Sequence, residues 1–176
     1  MNSGNVNWDQ TWSLTQTIKG AYGKGQCHTL FQVAQSKSLI VEIGSHLGRS
    51  TSVLLSTGAH VVSIDPHYDE VIYSGFIANM QKHPNWNNLE IIPQFDREAI
   101  VGWHRPIDFL HLDADCIYLE NKLQVLEILN RWKPFVNQIL VHHYHRPQTY
   151  AACLEAGLCL REVDVFMALG MFFQVF

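Results

Sequence analysis

The stretch "LIVEIGSHLGRST", residues 39–51, decides the fold of this chain. It begins with apolar, mostly β-branched residues, a pattern typical of a strand that is buried on both faces of a parallel sheet. The strand leads into a turn that contains Gly44 and Gly48, and a short helix closed by Gly58 follows. The turn matches neither G-x-G-x-x-G nor a phosphate-binding P-loop. This stretch alone therefore leaves open whether the turn binds a ligand or only joins a strand to a helix.

Strands alternate with helices along most of the chain, as expected for an α/β fold with a mainly parallel sheet. The sequence predicts strands at 38–44, 60–66, 88–95, 107–115 and 138–144, and helices at 26–36, 49–58, 69–82, 119–132 and 147–157. Two adjacent strands end the chain, so one of them is predicted to be antiparallel. We expect residues 1–176 to form a single domain with residues 1–25 as an N-terminal arm. Residues 1–12 of this arm are expected to be only loosely docked on the rest of the domain.

The composition limits the partners of the chain. The formal net charge is −4 with ten histidines counted as neutral, so there is no basic excess for binding a nucleic-acid backbone. The four cysteines form no C-x-x-C pair, which indicates a reduced, cytoplasmic protein. The N-terminus lacks the pattern of a signal peptide, and no apolar run is long enough to span a membrane. We expect a small-molecule ligand, and the sequence leaves open a homo-oligomer.

Several acidic residues follow the predicted strands, where ligands bind in parallel α/β sheets. Asp65 comes about 20 residues after the glycine turn, the distance at which an acid binds ribose hydroxyls in dinucleotide folds. Its alternative role is to cap a turn before Pro66. Asp96 follows the third strand and is either a helix N-cap or an acceptor for an adenine amino group. Together these strand ends suit a nucleoside with a charged tail.

Four motifs then occur in order: "LIVEIGSHLGRST", "VVSIDP", "IDFLHLDADCIYLENKL" and "ILVHHYH". They resemble successive motifs of the class I S-adenosylmethionine-dependent methyltransferases, and are most similar to the small O-methyltransferase-like group. The resemblance covers roughly residues 26 to 176. It implies a Rossmann-like, seven-stranded sheet with one antiparallel C-terminal strand and helices on both faces. It also implies S-adenosylmethionine as the cofactor and an enzyme that transfers a methyl group to a small-molecule acceptor, at oxygen.

The resemblance also implies roles for individual residues. Asp65 would hold the ribose, Phe95 and Asp96 would border the adenine, and Asp113 would lie beneath the sulfonium. The methionine part of the cofactor would be lined by Glu42, Gly44, Ser45 and Gly48. His46 lies in the same loop, where it either contacts the cofactor carboxylate or faces solvent. Glycine at position 48 would let the backbone approach this ligand closely.

Two positions depart from the family pattern. Cys116 stands where the family usually has His, and His143 stands where a strand usually ends in Asp. In metal-dependent relatives this region binds a divalent cation, for which Asp113 and His143 are the candidate ligands here. Mg²⁺ prefers oxygen ligands, so an imidazole in the set favours a transition metal such as Zn²⁺ or Mn²⁺. We therefore expect no tight Mg²⁺ site.

A base is needed only if the acceptor must lose a proton early in the transfer. The candidates are His143, His142 and Asp115. We expect Asp113 and His143 to converge from adjacent strands, with His142 on the alternate side of its strand. The altered positions also leave open a second interpretation, a non-catalytic relative that keeps the nucleoside pocket and acts as a binding or interaction module.

Overall fold

The structure is a computed structural model that describes residues 6–113 and 121–172. Its strands are β1 (Leu39–Ile43), β2 (His60–Ile64), β3 (Leu89–Ile92), β4 (Phe109–Leu112), β5 (Ile139–His142), β6 (Leu158–Asp164) and β7 (Met167–Phe172). Its helices are α1 (Trp8–Thr15), α2 (Lys24–Val33), α3 (Arg49–Ser56), α4 (Glu70–Met80), α5 (Asp96–Ala99), α6 (Lys122–Trp132) and α7 (Pro147–Glu155). Among the helices within these ranges, none has the length and apolar character to cross a membrane.

The strands form one seven-stranded sheet in the order β3-β2-β1-β4-β5-β7-β6. The five strands from β3 to β5 are parallel, and β7 is antiparallel to both of its neighbours. This confirms the expected Rossmann-like fold with one antiparallel C-terminal strand. The direction of winding reverses between β1 and β4, so the carboxyl ends of these two strands open the crevice in which ligands of such sheets bind.

Both faces of the sheet are covered, which explains why the strands are apolar at nearly every position. On one face Val41 and Val62 pack with Trp132 of α6, in a core that also includes residues of α7. On the other face Ile40 and Val61 belong to a second core with residues of α2, α3 and α4. Alternate strand residues thus point into two separate hydrophobic cores.

The N-terminal arm is more ordered than we expected, because residues 8–15 form a helix. The side chain of Asn7 accepts the backbone N–H of Gln10, and the side chain of Gln10 accepts that of Asn7, which makes a capping box. Thr11 and Thr15 are fully buried, and the Thr15 hydroxyl lies 3.2 Å from that of Ser52 on α3. The expectation of a loosely docked segment was therefore wrong for this helix, which polar contacts hold in place as well as apolar ones.

Candidate functional site

The turn between β1 and α3 is held by the carboxylate of Asp65 at the end of β2. One oxygen of Asp65 accepts the backbone N–H groups of Ser45 and His46, each at 2.9 Å. The other oxygen accepts the backbone N–H of His67, also at 2.9 Å. His46 has a positive φ of 49°, as do Gly44 at 91° and Gly48 at 88°, so three residues of the turn adopt left-handed backbone. The bond to His67 is the turn-capping role at Pro66 that the sequence left as the alternative, and the carboxylate of Asp65 also borders the crevice.

Gly48 has a packing role, and its predicted close approach to the ligand stays a prediction. A Cβ atom at this position would lie 2.6 Å from Cε of Met80 and 3.1 Å from Cδ2 of Phe76, both on α4. Its φ of +88° is also a conformation that side-chain-bearing residues rarely adopt. Gly48 is not among the residues that line the two cavities of the crevice. The sequence could not distinguish these two reasons for a glycine, because Met80 is distant in the chain.

Two cavities meet at Gly44 and Asp65. The first, which we call the aromatic cavity, has a volume of about 310 Å³ and lies between the ends of β1 to β3 and helix α6. Its wall includes Tyr68 and Phe95, whose rings contact edge to face with centroids 5.4 Å apart. Phe95 was predicted from the sequence, whereas Tyr68, which is 67% exposed, was not. An aromatic pair of this kind can contact the faces of a planar heterocycle.

Asp96 also lines the aromatic cavity, but its carboxylate already has protein partners. Oδ2 of Asp96 accepts a hydrogen bond from the guanidinium of Arg131, and Nε1 of Trp132 lies 3.4 Å from the same atom. Arg131 itself lines the cavity. No sequence pattern indicates this ion pair, because the two residues are 35 positions apart. The adenine role of Asp96 therefore stays a prediction.

The second cavity, the loop cavity, has a volume of about 530 Å³ and extends from Gly44 over the start of α3. Ser45, His46 and Asp113 line it on the side of the sheet, and the segment from Lys19 to Tyr22 lines it on the other side. The sequence did not implicate this segment, since it lies between two helices and carries no motif. The loop cavity thus brings five predicted site residues to one space: Gly44, Ser45, His46, Asp65 and Asp113.

Arg49 gives the loop cavity a positive wall. Its Nη1 donates to the backbone carbonyl of Gly20 at 3.2 Å, which ties the covering segment to α3. Its Nε atom is buried and has no hydrogen-bond partner among the described residues. A buried guanidinium N–H without a partner is costly and is well suited to an anionic ligand group such as a carboxylate.

Glu42 lies beneath the crevice and does not line either cavity. Its side chain is fully buried and accepts hydrogen bonds from the hydroxyl of Thr51 and from Nδ1 of His111, the latter at 3.1 Å. Nε2 of His111 lies 2.7 Å from the hydroxyl of Tyr22, which does line the loop cavity. Glu42 thus belongs to a buried network that connects the sheet to the covering segment, and its predicted contact with the cofactor stays a prediction.

Asp113, His142 and His143 form a cluster where β4 and β5 end. Nδ1 of His142 lies 2.6 Å from Oδ1 of Asp113, and one ligand atom from each of the three residues lies within 4.8 Å of the others. The expectation that His142 points to the alternate side was wrong, because the register of β4 and β5 pairs Leu112 with Val141 and so places Asp113 beside His142. Asp115 and Cys116 lie outside the described residues.

This cluster fits a borderline divalent metal better than Mg²⁺. It offers one carboxylate and two imidazoles, whereas Mg²⁺ demands near-octahedral oxygen ligation. The hydrogen bond between His142 and Asp113 already uses one carboxylate oxygen and one ring nitrogen. Asp113 and His143, the metal ligands predicted from the sequence, both belong to this cluster.

Comparison with known proteins agrees with this architecture. A family model described as a methyltransferase domain matches residues 41–145, and the chain belongs to this family. No curated protein matches the chain significantly.

Among solved structures, the chain is similar to cofactor-bound Rv0187 from MTB, with a TM-score of 0.69, 16% identity, and 92% and 87% of the two chains covered. It is also similar to the methyltransferase PaMTH1 of Podospora anserina bound to S-adenosylhomocysteine, with a TM-score of 0.69, 13% identity, and 95% and 88% of the two chains covered. A third similar structure is an O-methyltransferase from Bacillus cereus, also bound to S-adenosylhomocysteine, with a TM-score of 0.66, 14% identity, and 93% and 90% of the two chains covered.

Proposed function

We propose that this protein is an S-adenosylmethionine-dependent methyltransferase that acts on a small-molecule acceptor, at oxygen. The observation that carries the proposal is the pair of cavities that meet at Gly44 and Asp65, one with an aromatic wall and one with a positive wall. This arrangement suits a nucleoside with a charged amino-acid tail. Membership of the methyltransferase-domain family supports the same cofactor, as do the S-adenosylhomocysteine complexes of two proteins with a similar fold.

In this proposal the adenine occupies the aromatic cavity against Tyr68 and Phe95, and the ribose hydroxyls approach Asp65. The methionine part enters the loop cavity past Gly44, Ser45 and His46. Its carboxylate takes the free N–H of Arg49, because a charge-assisted hydrogen bond is the strongest polar contact available there. Gly48 and Glu42 support this pocket from behind.

The cofactor supplies an electrophilic methyl group on a sulfonium. The protein's part is to hold the acceptor in line with that group, which removes much of the entropic cost of the reaction. Asp113 lines the loop cavity at the end where the acceptor would arrive, and His142 and His143 adjoin it. A hydroxyl acceptor can pass its proton to this cluster, with His143, His142 and Asp115 as the candidate bases.

Binding of S-adenosylhomocysteine, measured by calorimetry, tests the proposed cofactor pocket. Tyr68→Ala removes one aromatic wall, so affinity should fall by roughly tenfold. The matched control is Tyr150→Ala, because Tyr150 is a partly exposed tyrosine of α7 outside both cavities. If wild type does not bind S-adenosylhomocysteine, or if both variants bind like wild type, the adenine does not lie in the aromatic cavity.

We also propose that any metal at the cluster is a borderline ion held by Asp113 and His143, and that Mg²⁺ does not bind tightly. Elemental analysis of dialysed protein should find no stoichiometric Mg²⁺, and Zn²⁺ or Mn²⁺ affinity should fall as the pH drops, because imidazole ligands must be neutral. His143→Ala should abolish that binding, whereas His104→Ala, at an exposed site outside the cluster, should not. Stoichiometric Mg²⁺ that survives His143→Ala would contradict this.

A second candidate is a non-catalytic module that binds the nucleoside without transferring a methyl group. It is favoured by the histidine at position 143 and by Asp65, whose two oxygens already accept three backbone N–H groups. The discriminating experiment is a screen with methyl-labelled S-adenosylmethionine against small phenols, catechols and hydroxy acids. Binding of the cofactor without labelled product from any acceptor would favour the binding module.

A further inference from the structure

A chain of three hydrogen bonds runs from the start of α2 to Asp113. The backbone N–H of Gly23 donates to Oε1 of Gln26 at 2.9 Å. Nε2 of Gln26 lies 3.4 Å from Nε2 of His142. Nδ1 of His142 lies 2.6 Å from Oδ1 of Asp113. Gln26 and His142 are 116 positions apart, and no motif connects them.

The direction of each hydrogen bond in this chain follows from the chemistry of its ends. A backbone N–H can only donate, so it fixes Oε1 of Gln26 as the acceptor and turns the amide NH₂ toward His142. An amide NH₂ can only donate, so Nε2 of His142 must accept and carries no proton. A carboxylate can only accept, so Nδ1 of His142 carries the proton. Both ends of the chain therefore require the same tautomer.

The face of the His142 ring is held as well as its edge. The ring of Tyr22 packs on it with centroids 4.3 Å apart and an angle of 32° between the planes. The hydroxyl of Tyr22 lies 2.7 Å from Nε2 of His111, which keeps the ring of Tyr22 in this position. His142 itself is 1% exposed. An imidazole that is held on its ring face and at both ring nitrogens is not suited to act as a mobile proton acceptor. It is suited to orient the neighbouring carboxylate.

We propose that Gln26 is a positioning residue, which selects the tautomer of His142 and thereby orients the carboxylate of Asp113 in the loop cavity. The hydrogen-bond chain itself does not depend on the proposed function. Only the purpose of the orientation rests on that function, namely that Asp113 faces the reacting groups. In this arrangement Nδ1–H of His142 donates a hydrogen bond to Asp113, and His142 keeps its proton. His143 and Asp115 then remain as the candidate bases. Neither the glycine turn nor the aromatic cavity takes part.

The test is ¹⁵N NMR of protein labelled at histidine, with the His142 signals assigned by their loss in His142→Gln. Wild type should show a protonated Nδ1 and an unprotonated Nε2. Gln26→Glu keeps the oxygen that accepts the N–H of Gly23, so the cap of α2 is retained. It also replaces the amide donor by a carboxylate acceptor, so Nε2 of His142 should gain a proton. The carboxyl ¹³C signal of Asp113, assigned with Asp113→Asn, should shift at the same time.

The matched control is Gln32→Glu, which makes the same change at an exposed position of α2 and should leave both signals unchanged. Unchanged signals in Gln26→Glu would overturn the inference, as would an Nε2 that is already protonated in wild type. A purely structural role of Gln26 predicts this unchanged result, because a glutamate at this helix position caps as well as a glutamine. The NMR result does not require the cofactor to bind, so it is independent of the calorimetric test of the proposed function.

Discussion

The two halves of the crevice are stabilised in different ways. At the end of β2, Asp65 accepts the backbone N–H groups of two residues of the glycine turn, 20 and 19 positions away in the chain, and that of His67, two positions away. At the ends of β4 and β5, Asp113 and His142 are held by side chains, and Gln26 and Tyr22 reach their partners across 116 and 89 positions. The first half is therefore built from one carboxylate and the backbone N–H groups that it accepts, and the second from contacts between side chains that are far apart in the chain.

This difference indicates which amino-acid substitutions each half of the crevice can tolerate. Backbone hydrogen bonds do not depend on which side chains surround them, so the first half should be sensitive only at Asp65 and at the glycines. Every bond of the second half depends on a particular donor or acceptor, so conservative substitutions there can redirect a proton without unfolding the protein. The predictions below test this contrast.

The largest effect on stability is expected at Asp65. Asp65→Ala removes the acceptor of three backbone N–H groups, and charge-assisted bonds of this kind contribute about 1.5 kcal/mol or more each. The free energy of unfolding in urea should fall by about 4.5 kcal/mol or more, and S-adenosylhomocysteine affinity should fall by more than about tenfold. A variant as stable as wild type would show that Asp65 does not hold the turn.

The next effect is a loss of stability in acid that originates at His83, beneath α3. Its Nε2 lies 3.1 Å from the hydroxyl of Ser56, and its Nδ1 accepts the backbone N–H of Asn85. Burial lowers the pKa of His83 to about 4 from 6.5. Between pH 4 and pH 6.5 the unfolded chain therefore binds more protons than the folded chain. The stability that neutral His83 contributes is complete above pH 6.5 and is lost as the pH falls toward 4.

The size of this loss is about 3 kcal/mol in the free energy of unfolding. Urea unfolding from pH 7 to pH 4, compared between wild type and His83→Gln, measures it. The difference between the two proteins should narrow, or reverse in sign, as the pH falls. A difference that is constant over this range would show that His83 titrates alike in the folded and unfolded chains.

A smaller effect separates two glycines with the same backbone conformation. Gly48 and Gly102 have φ of +88° and +79°, but only at Gly48 would a Cβ meet other atoms within 4 Å. Gly48→Ala should therefore lower the free energy of unfolding by about 2 kcal/mol more than Gly102→Ala. Equal losses would mean that the contact with Met80 relaxes freely and that the packing role of Gly48 is unimportant.

The sequence predicted the fold well because the strands are short apolar runs between helices, and the α/β alternation leaves few topologies. It also predicted the strand ends at Gly44, Asp65 and Asp113, which the sheet brings to one crevice. It did not predict helix α1, since polar residues provide much of its packing. Tyr22, Gln26, Tyr68 and Arg131 were missed for a different reason. Their positions depend on contacts between distant segments, which no local pattern records.

The central claim is that the aromatic cavity and the loop cavity form one cofactor site. Mapping of backbone amide ¹H–¹⁵N shifts on titration with S-adenosylhomocysteine tests it most directly. We expect the largest changes at Gly44–His46, at Phe95–Arg97 and at Asp113. A separate cavity of about 390 Å³ lies elsewhere on the molecule, lined by Lys133, Val136, Asn137 and Phe172 among others. Shift changes confined to that cavity, or none at saturating ligand, would contradict the account.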